Sequence, residues 1–309
     1  MTDVPRPFDP EPPSPQGAGT LPADRAASAL GPTTDARRLI ESYGMSHPGK
    51  VRTVNEDHFV TVALHRAVQV RQTNLEDPHI FDRLSGPRAY LYVVADGVGG
   101  STGGSVASAM AVGTIVHYLG EVVGAYNGFD TDYAKDFPDH LQRAIQRAHD
   151  RLVDTFQLKG RGGPATTLTL AMIVWPHAYL VHVGDSRGYH LRGQTLRRLT
   201  RDQTVGDFLV TQHGMAKEKA EQAGLYNVLS SAIGAADVTP AINVVPLERG
   251  DVLLLCTDGI TKHVSDARIG DVLIQSPESE AACRALMELA LDGGGSDNAT
   301  AVVARILGG

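Results

Sequence analysis

Tyr90-Leu91-Tyr92-Val93-Val94-Ala95-Asp96-Gly97-Val98-Gly99-Gly100 is the stretch on which the reading of this chain turns. Its first six residues are β-branched, aromatic or aliphatic, the composition of a buried strand. The strand ends on a carboxylate, glycines follow at 97, 99, 100 and 103, and an apolar helical stretch begins near Ser105. A carboxylate at the end of a buried strand is costly unless its charge is compensated. A metal cation is one compensator, and a neighbouring glycine lets a backbone carbonyl approach the same ion. A dinucleotide-binding turn fits less well. Gly97-x-Gly99-Gly100-x-x-Gly103 misses the G-x-G-x-x-G spacing by one residue, and a leading carboxylate would face an anionic pyrophosphate. Taken alone, the stretch is equally a plain Asp-Gly turn after a strand.

The 309 residues are 42% hydrophobic and 20% charged, an ordinary globular composition with enough apolar side chains for a large core. A net charge of −7 lacks the electrostatic footprint of a nucleic-acid binder. Cys256 and Cys283 both lie in apolar segments, so reduced core cysteines are expected rather than a disulfide. Asp3, Asp9 and Glu11 stand where a signal peptide would be basic and then apolar. The apolar stretch Val106 to Val123 is interrupted by His117, Gly120 and Glu121, which argues against a membrane span. A cytoplasmic protein is expected.

Residues 1–38 hold 8 of the 17 prolines and no periodic apolar pattern, the composition of a disordered tail. Order is expected from Leu39, with strands at Leu39 to Met45 and His58 to Leu64. The 66–86 segment, with Pro78, reads as a loop insertion. Helices are expected from Ser105 to Val123 and from Pro138 to Phe156, the second with Leu141, Ile145, Ala148 and Leu152 on one face. Four strands joined by tight turns follow, at Thr166 to Val174, Ala178 to Val183, Ser186 to Leu191 and Thr195 to Leu199, which implies antiparallel hairpins. Residues 203–234 are helical and polar, punctuated by Gly214, Gly224 and Gly234. Strands resume at Ala241 to Pro246 and Asp251 to Cys256. A helix is expected from Pro277 to Leu291 with Ser276 as its N-cap, and a last strand from Ala299 to Ile306. Strands cluster with strands and helices with helices, so the class is α+β with layered antiparallel sheets.

Three further aspartates echo Asp96. Leu253-Leu254-Leu255-Cys256-Thr257-Asp258-Gly259 repeats the apolar run ending on Asp-Gly, Asp185 sits in a turn between two strands, and Asp297 immediately precedes the last strand. Each alone is more often a turn residue than a ligand. If their strand ends converge, they form an all-oxygen cluster that suits Mg2+ or Mn2+ rather than zinc. The histidines show no metal-binding pair, and His182 reads as a strand residue. Two ions at such a site would activate a water and neutralise a transferring phosphoryl group. Arg52 would fit beside them as a forked donor to phosphate oxygens, although alone it reads as a surface arginine.

In this order, Arg52-x-x-x-Glu56-Asp57, Asp96-Gly97-x-Gly99-Gly100, Gly184-Asp185-Ser186-Arg187, Thr257-Asp258-Gly259 and Gly295-x-Asp297-Asn298 resemble the metal-dependent protein phosphatases of type 2C, in particular the compact bacterial branch. The resemblance covers residues 39–309, including Ala165-Thr166-Thr167 and the segment from Asn227 to Gly234. It implies a four-layer α-β-β-α sandwich of two antiparallel sheets flanked by helices, with a dinuclear Mg2+ or Mn2+ site at one edge. By the family pattern Asp96 bridges both ions and Gly97 lends its carbonyl. Asp258 and Asp297 complete the first ion and Glu56 belongs to the second. Asp57 orients the attacking water and Arg52 holds the substrate phosphate. Asp185 and Asp258 match the ligands of a third ion found in many bacterial members, and residues 203–234 match a mobile flap. Three positions depart from the pattern. Val98 replaces a histidine proposed elsewhere as general acid, Ser231 replaces a common arginine, and Ala165 replaces a common glycine.

The function this implies is hydrolysis of phosphoserine and phosphothreonine in proteins by a metal-activated water. The partners would be phosphorylated proteins and a cognate Ser/Thr kinase, and the enzyme would be a monomer acting without nucleic acid or membrane. No C-x5-R nucleophile motif supports a cysteine-based route. Two alternatives are weighed: a catalytically weak, regulatory phosphoprotein-binding module of the same fold, and a receiver-like phosphoacceptor using Asp96. The run of hairpins after Thr166 opposes the parallel sheet the second requires.

Overall fold

In the computed structural model, which describes residues 39–66, 86–99, 103–125, 131–156 and 163–308, alternate side chains of one central strand divide between two apolar layers. The expected tail, and the expected insertion but for its end residues, lie outside the described residues. In chain order the elements are β1 (Ile40–His47), β2 (Asp57–Arg66), β3 (Gly86–Val98), α1 (Gly103–Ala125), α2 (Thr131–Phe156), β4 (Ala165–Thr166), β5 (Leu168–Val174), β6 (His177–Val183), β7 (Arg187–Arg192) and β8 (Thr195–Arg198). There follow α3 (Val205–His213), α4 (Lys217–Gln222), a 3-10 turn at Leu225–Asn227, β9 (Ala241–Pro246), β10 (Val252–Cys256), α5 (Asp258–Thr261), α6 (Asp266–Gln275), α7 (Ser279–Asp292) and β11 (Ala299–Ile306).

The strands form two antiparallel sheets, ordered β1-β11-β10-β7-β8 and β2-β3-β5-β6-β9, with β4 paired to β3. Side chains alternate along a strand, so each sheet buries two faces. On β3, Leu91, Val93 and Ala95 pack under α1 and α2, while Tyr92 and Val94 face the other sheet. On β10, Leu254 and Cys256 pack under α6 and α7, while Leu253 and Leu255 face inward against Val302 and Ala304 of β11. Three apolar layers thus separate helix, sheet, sheet and helix, the α-β-β-α sandwich expected from the sequence. Helix α1 is long and apolar enough to cross a membrane, but Ala107, Ala111, Ile115 and Leu119 are spent on the core beneath it.

Helix boundaries differ from the sequence reading where tertiary contacts intervene. Helix α2 starts at Thr131 and carries Pro138 inside it. The buried Phe137, set edge-on to Tyr179 at 4.7 Å between ring centroids, draws the helix past a proline that would otherwise mark its start. Helix α7 starts at Ser279 rather than Pro277. Its first backbone N–H and hydroxyl are capped by the Glu41 carboxylate of β1, with N–O distances of 3.1 and 3.2 Å. Ser276 instead closes α6, which the sequence reading did not include.

Between the sheets, Leu180 of β6 fills the space above Gly188 of β7, whose added Cβ would meet both Leu180 methyls at 3.3 Å. Leu180→Ala is expected to cost about 2–5 kcal/mol in urea unfolding. Gly188→Ala should cost less in the Leu180→Ala background than in the wild type, because the cavity accepts the new methyl. Strictly additive effects would contradict this packing.

Candidate active site

The strand parity that builds the inter-sheet layer also builds the site. Tyr92 and Val94 point between the sheets, so Asp96 does too, at the end of that row. Asp57 is its cross-strand partner on β2. On the opposite sheet Thr257 continues the row of Leu253 and Leu255, and Thr300 begins the row of Val302 and Ala304. Both threonine hydroxyls donate to Asp57 Oδ2, at 2.8 and 2.7 Å. Asp57 is therefore the floor of the site, 4% exposed, and lies beneath the cavity that the other residues line. Burial pushes its carboxyl up to about 7 despite those two hydrogen bonds, with the charges of Asp258 and Asp297 adding to the effect.

Each remaining acid is fixed through its backbone. The Asp96 N–H donates to Thr167 Oγ1 (3.0 Å), and its carbonyl accepts from Thr167 N (2.9 Å) and Thr166 Oγ1 (2.9 Å). The Glu56 N–H donates to Asn298 Oδ1 (2.8 Å), while the Asn298 amide donates to the Pro48 and Val54 carbonyls, both at 2.9 Å. One buried asparagine thus ties the loop carrying Arg52 and Glu56 to the loop carrying Asp297. Gly97 and Gly104 let this loop lie against the start of α1: a Cβ on Gly97 would sit 2.2 Å from the Gly104 carbonyl oxygen, and one on Gly104 2.6 Å from Glu56 Oε1. Asp185 is held in the β6–β7 turn, where Gly184 and Gln203 exchange hydrogen bonds of 3.0 and 2.7 Å. Asp258 opens α5, whose Gly259 has no room for a side chain because a Cβ there would fall 1.9 Å from the Asn298 carbonyl oxygen.

Arg52, Glu56, Asp96, Gly97, Asp185, Asp258 and Asp297 line one cavity of about 770 Å³. Val98, and Val228 and Leu229 just after the 3-10 turn, add apolar surface to its lining. Burial, reinforced by the charges of Asp57, Asp258, Asp185 and Asp297, drives the Asp96 carboxyl far above the usual range. Burial and the charges of Asp258 and Asp202 push Asp185 up to about 7, and burial also raises Asp258. Two basic groups oppose this. Arg52 grips Asp297 with Nε at 2.9 Å from Oδ1 and Nη2 at 3.2 Å from Oδ2. Lys262 Nζ lies 2.6 Å from Asp258 Oδ2 and 2.8 Å from Asp297 Oδ2. Burial alone would raise Asp297, yet Lys262 and Arg52 hold it below the ordinary carboxylate range.

Among the described residues no three His, Cys, Asp or Glu side chains stand as a ready metal cage. The donor set nonetheless fits divalent ions. It is entirely oxygen, Glu56 Oε1 and Asp57 Oδ1 are buried without a hydrogen-bond partner, and the acids crowd until burial and mutual repulsion raise Asp57, Asp96, Asp185 and Asp258. Sequence reasoning missed Lys262 and the anchoring role of Asn298. Lys262 stands four residues after Asp258, the spacing of a helical ion pair. His182 is a buried strand residue as expected, bonded to Thr169 Oγ1 (2.9 Å) and to the Arg201 carbonyl (3.0 Å). Arg187 of the Gly-Asp-Ser-Arg motif is structural, pairing with Asp202 at 3.1 and 2.7 Å.

An aspartate with a pKa of about 7 when folded and 3.8 when unfolded stabilises the fold below about pH 4 and loses that contribution as pH rises through 7. Asp57→Asn keeps the acceptor for both threonines without this loss. In metal-free protein the variant should gain stability relative to wild type from about pH 5 to about pH 7.5, read by urea unfolding at each pH. A difference that stays flat or shrinks would contradict the burial of an ionisable Asp57.

Comparison with known proteins agrees with this geometry. The family model described as protein phosphatase 2C matches residues 66–305. The serine/threonine protein phosphatase PstP of Mycobacterium tuberculosis is 33% identical over 226 residues, 71% of this chain, and the chain spans only 41% of that protein's length. The serine/threonine phosphatase stp of Listeria welshimeri is 30% identical over 240 residues, covering 76% of this chain and 91% of that protein. Among solved structures, the catalytic domain of PstP in complex with two manganese ions superposes with a TM-score of 0.65 at 30% identity, over 87% of this chain and 99% of that one. Fold and sequence agree, and the chain belongs to the protein phosphatase 2C family.

Proposed function

We propose that this chain hydrolyses phosphoserine and phosphothreonine in proteins, by attack of water on phosphorus at two Mg2+ or Mn2+ ions. The observation that carries the reading is the gathering of Glu56, Asp96, Gly97, Asp185, Asp258 and Asp297, with Arg52, around one cavity. Asp96 would serve both ions and Gly97 would contribute its carbonyl, with Asp258 and Asp297 completing the first ion, Glu56 belonging to the second, and Asp185 with Asp258 holding a third. Bound there, the ions would let the carboxylates ionise together, activate water and offset charge on the phosphoryl group. Asp57 orients the attacking water through Oδ1, the oxygen its two threonines leave free. Arg52 turns its fork from Asp297 to the phosphate oxygens, a change within reach of an exposed side chain. The mycobacterial and listerial relatives are named as serine/threonine phosphatases, which supports the substrate class. A kinase that supplies the phosphoprotein, and a monomeric cytoplasmic enzyme, belong to the same reading. No observation favours the binding-only alternative.

Asp96→Asn is expected to abolish turnover of p-nitrophenyl phosphate with Mn2+ while the protein still melts cooperatively, because one substitution weakens both bridged metal sites and the water between them. Substantial activity in the folded variant would contradict the dinuclear reading. Arg52→Ala should lower kcat/KM by about ten- to a hundredfold, the worth of a charge-assisted contact. Arg52→Lys should recover only part, since an ammonium lacks the fork. Unchanged steady-state kinetics in the alanine variant would return Arg52 to the surface.

A further inference from the structure

The cations of the site are unevenly shared. Asp258 and Asp297 have Lys262 between them, and Asp297 has Arg52 as well. Among the described residues no ion pair reaches Glu56, whose Oε1 has no hydrogen-bond partner, whereas Asp258 leaves Oδ1 open but holds Lys262 on Oδ2. Lys262 does not sit on the acids by accident of a floppy surface. Its backbone N–H closes the short turn of α5 on the Asp258 carbonyl at 2.7 Å, which fixes the root of the side chain one turn beyond Asp258. From there the four-carbon stem delivers the ammonium to oxygens supplied by the start of α5 and by the loop before β11. These two carboxylates are the ones the proposed function gives to the first ion. Lys262 occupies Oδ2 of both acids, so a divalent ion that takes those two oxygens meets the ammonium there and is repelled by it, even though Asp258 Oδ1 is open.

We propose that Lys262 is a tethered counter-cation of this site. Without a divalent ion it neutralises Asp258 and Asp297 and holds their loops together. When an ion binds there the ammonium swings out toward the open cavity, so Lys262 competes with that ion and lowers the affinity of this half of the site. Among the described residues the Glu56 half has no such competitor, and binding is therefore stepwise, weaker at the Asp258–Asp297 half. This inference rests on the proposed metal site but concerns its affinity rather than its chemistry.

Calorimetric titration of metal-free protein with Mn2+, alongside thermal melting without metal, tests it. Lys262→Met and Lys262→Gln, both without the charge, should tighten the weaker Mn2+ step by about tenfold, the loss of one charged contact. Both should also melt at a lower temperature than wild type when metal is absent, and gain more on Mn2+ addition. Lys262→Arg keeps the charge and should keep the weak step. Tightening in the neutral variants alone supports the inference. If wild type binds Mn2+ and the neutral variants bind it no more tightly, the inference falls and the metal site stands. If wild type takes up no Mn2+, the proposed function falls and takes this inference with it.

Discussion

Carboxylates gathered at the end of an apolar layer repel one another, and the fold has to hold them there against that repulsion. The inter-sheet rows of Tyr92 and Val94, Leu253 and Leu255, and Val302 and Ala304 end in Asp96, Thr257 and Thr300, with Asp57 beside Asp96 on β2. Because side chains alternate strictly along a strand, the same register that packs the core delivers these groups to one point. A slip of one residue in β3 would move Asp96 to the helix side and Ala95 into the site. The stability of the sandwich and the assembly of the site are therefore one property of the strand pairing.

The scaffold counters the repulsion mainly with backbone contacts rather than opposite charges. Thr166 and Thr167 bind both backbone groups of Asp96, Asn298 binds three backbone groups of the 48–56 loop, and glycines at 97, 104 and 259 permit approaches that no side chain would allow. Among the described residues the cations of the site sit on the Asp258–Asp297 side. Groups fixed this way are preorganised, so binding a divalent ion requires little rearrangement of the main chain.

The parts of this arrangement legible in the sequence are those that follow from local pattern. The apolar run before Asp96 and its echo before Asp258 marked two strand ends, and the ordered motifs marked the acids. The parts that were not legible depend on contacts between distant residues. Glu41 caps α7 from the far side of the chain, which no reading of Ser276-Pro277 reveals. Phe137 carries α2 through Pro138 because Tyr179, in strand β6, meets it edge-on. α6 escaped notice although Ser265 caps it through the Arg268 N–H at 3.3 Å, a signal present in the sequence. Lys262 could have been paired with Asp258 by its spacing, but its contact with Asp297 exists only in the folded chain.

The central claim is that the cavity at the end of the inter-sheet layer is a divalent-metal site. Anomalous diffraction from crystals grown with Mn2+ tests it most directly, because the signal locates the metal without reference to activity. The account predicts anomalous peaks in the cavity bounded by Glu56, Asp96, Asp258 and Asp297. A cavity free of anomalous density at saturating Mn2+, with Lys262 still seated between Asp258 and Asp297, would contradict it.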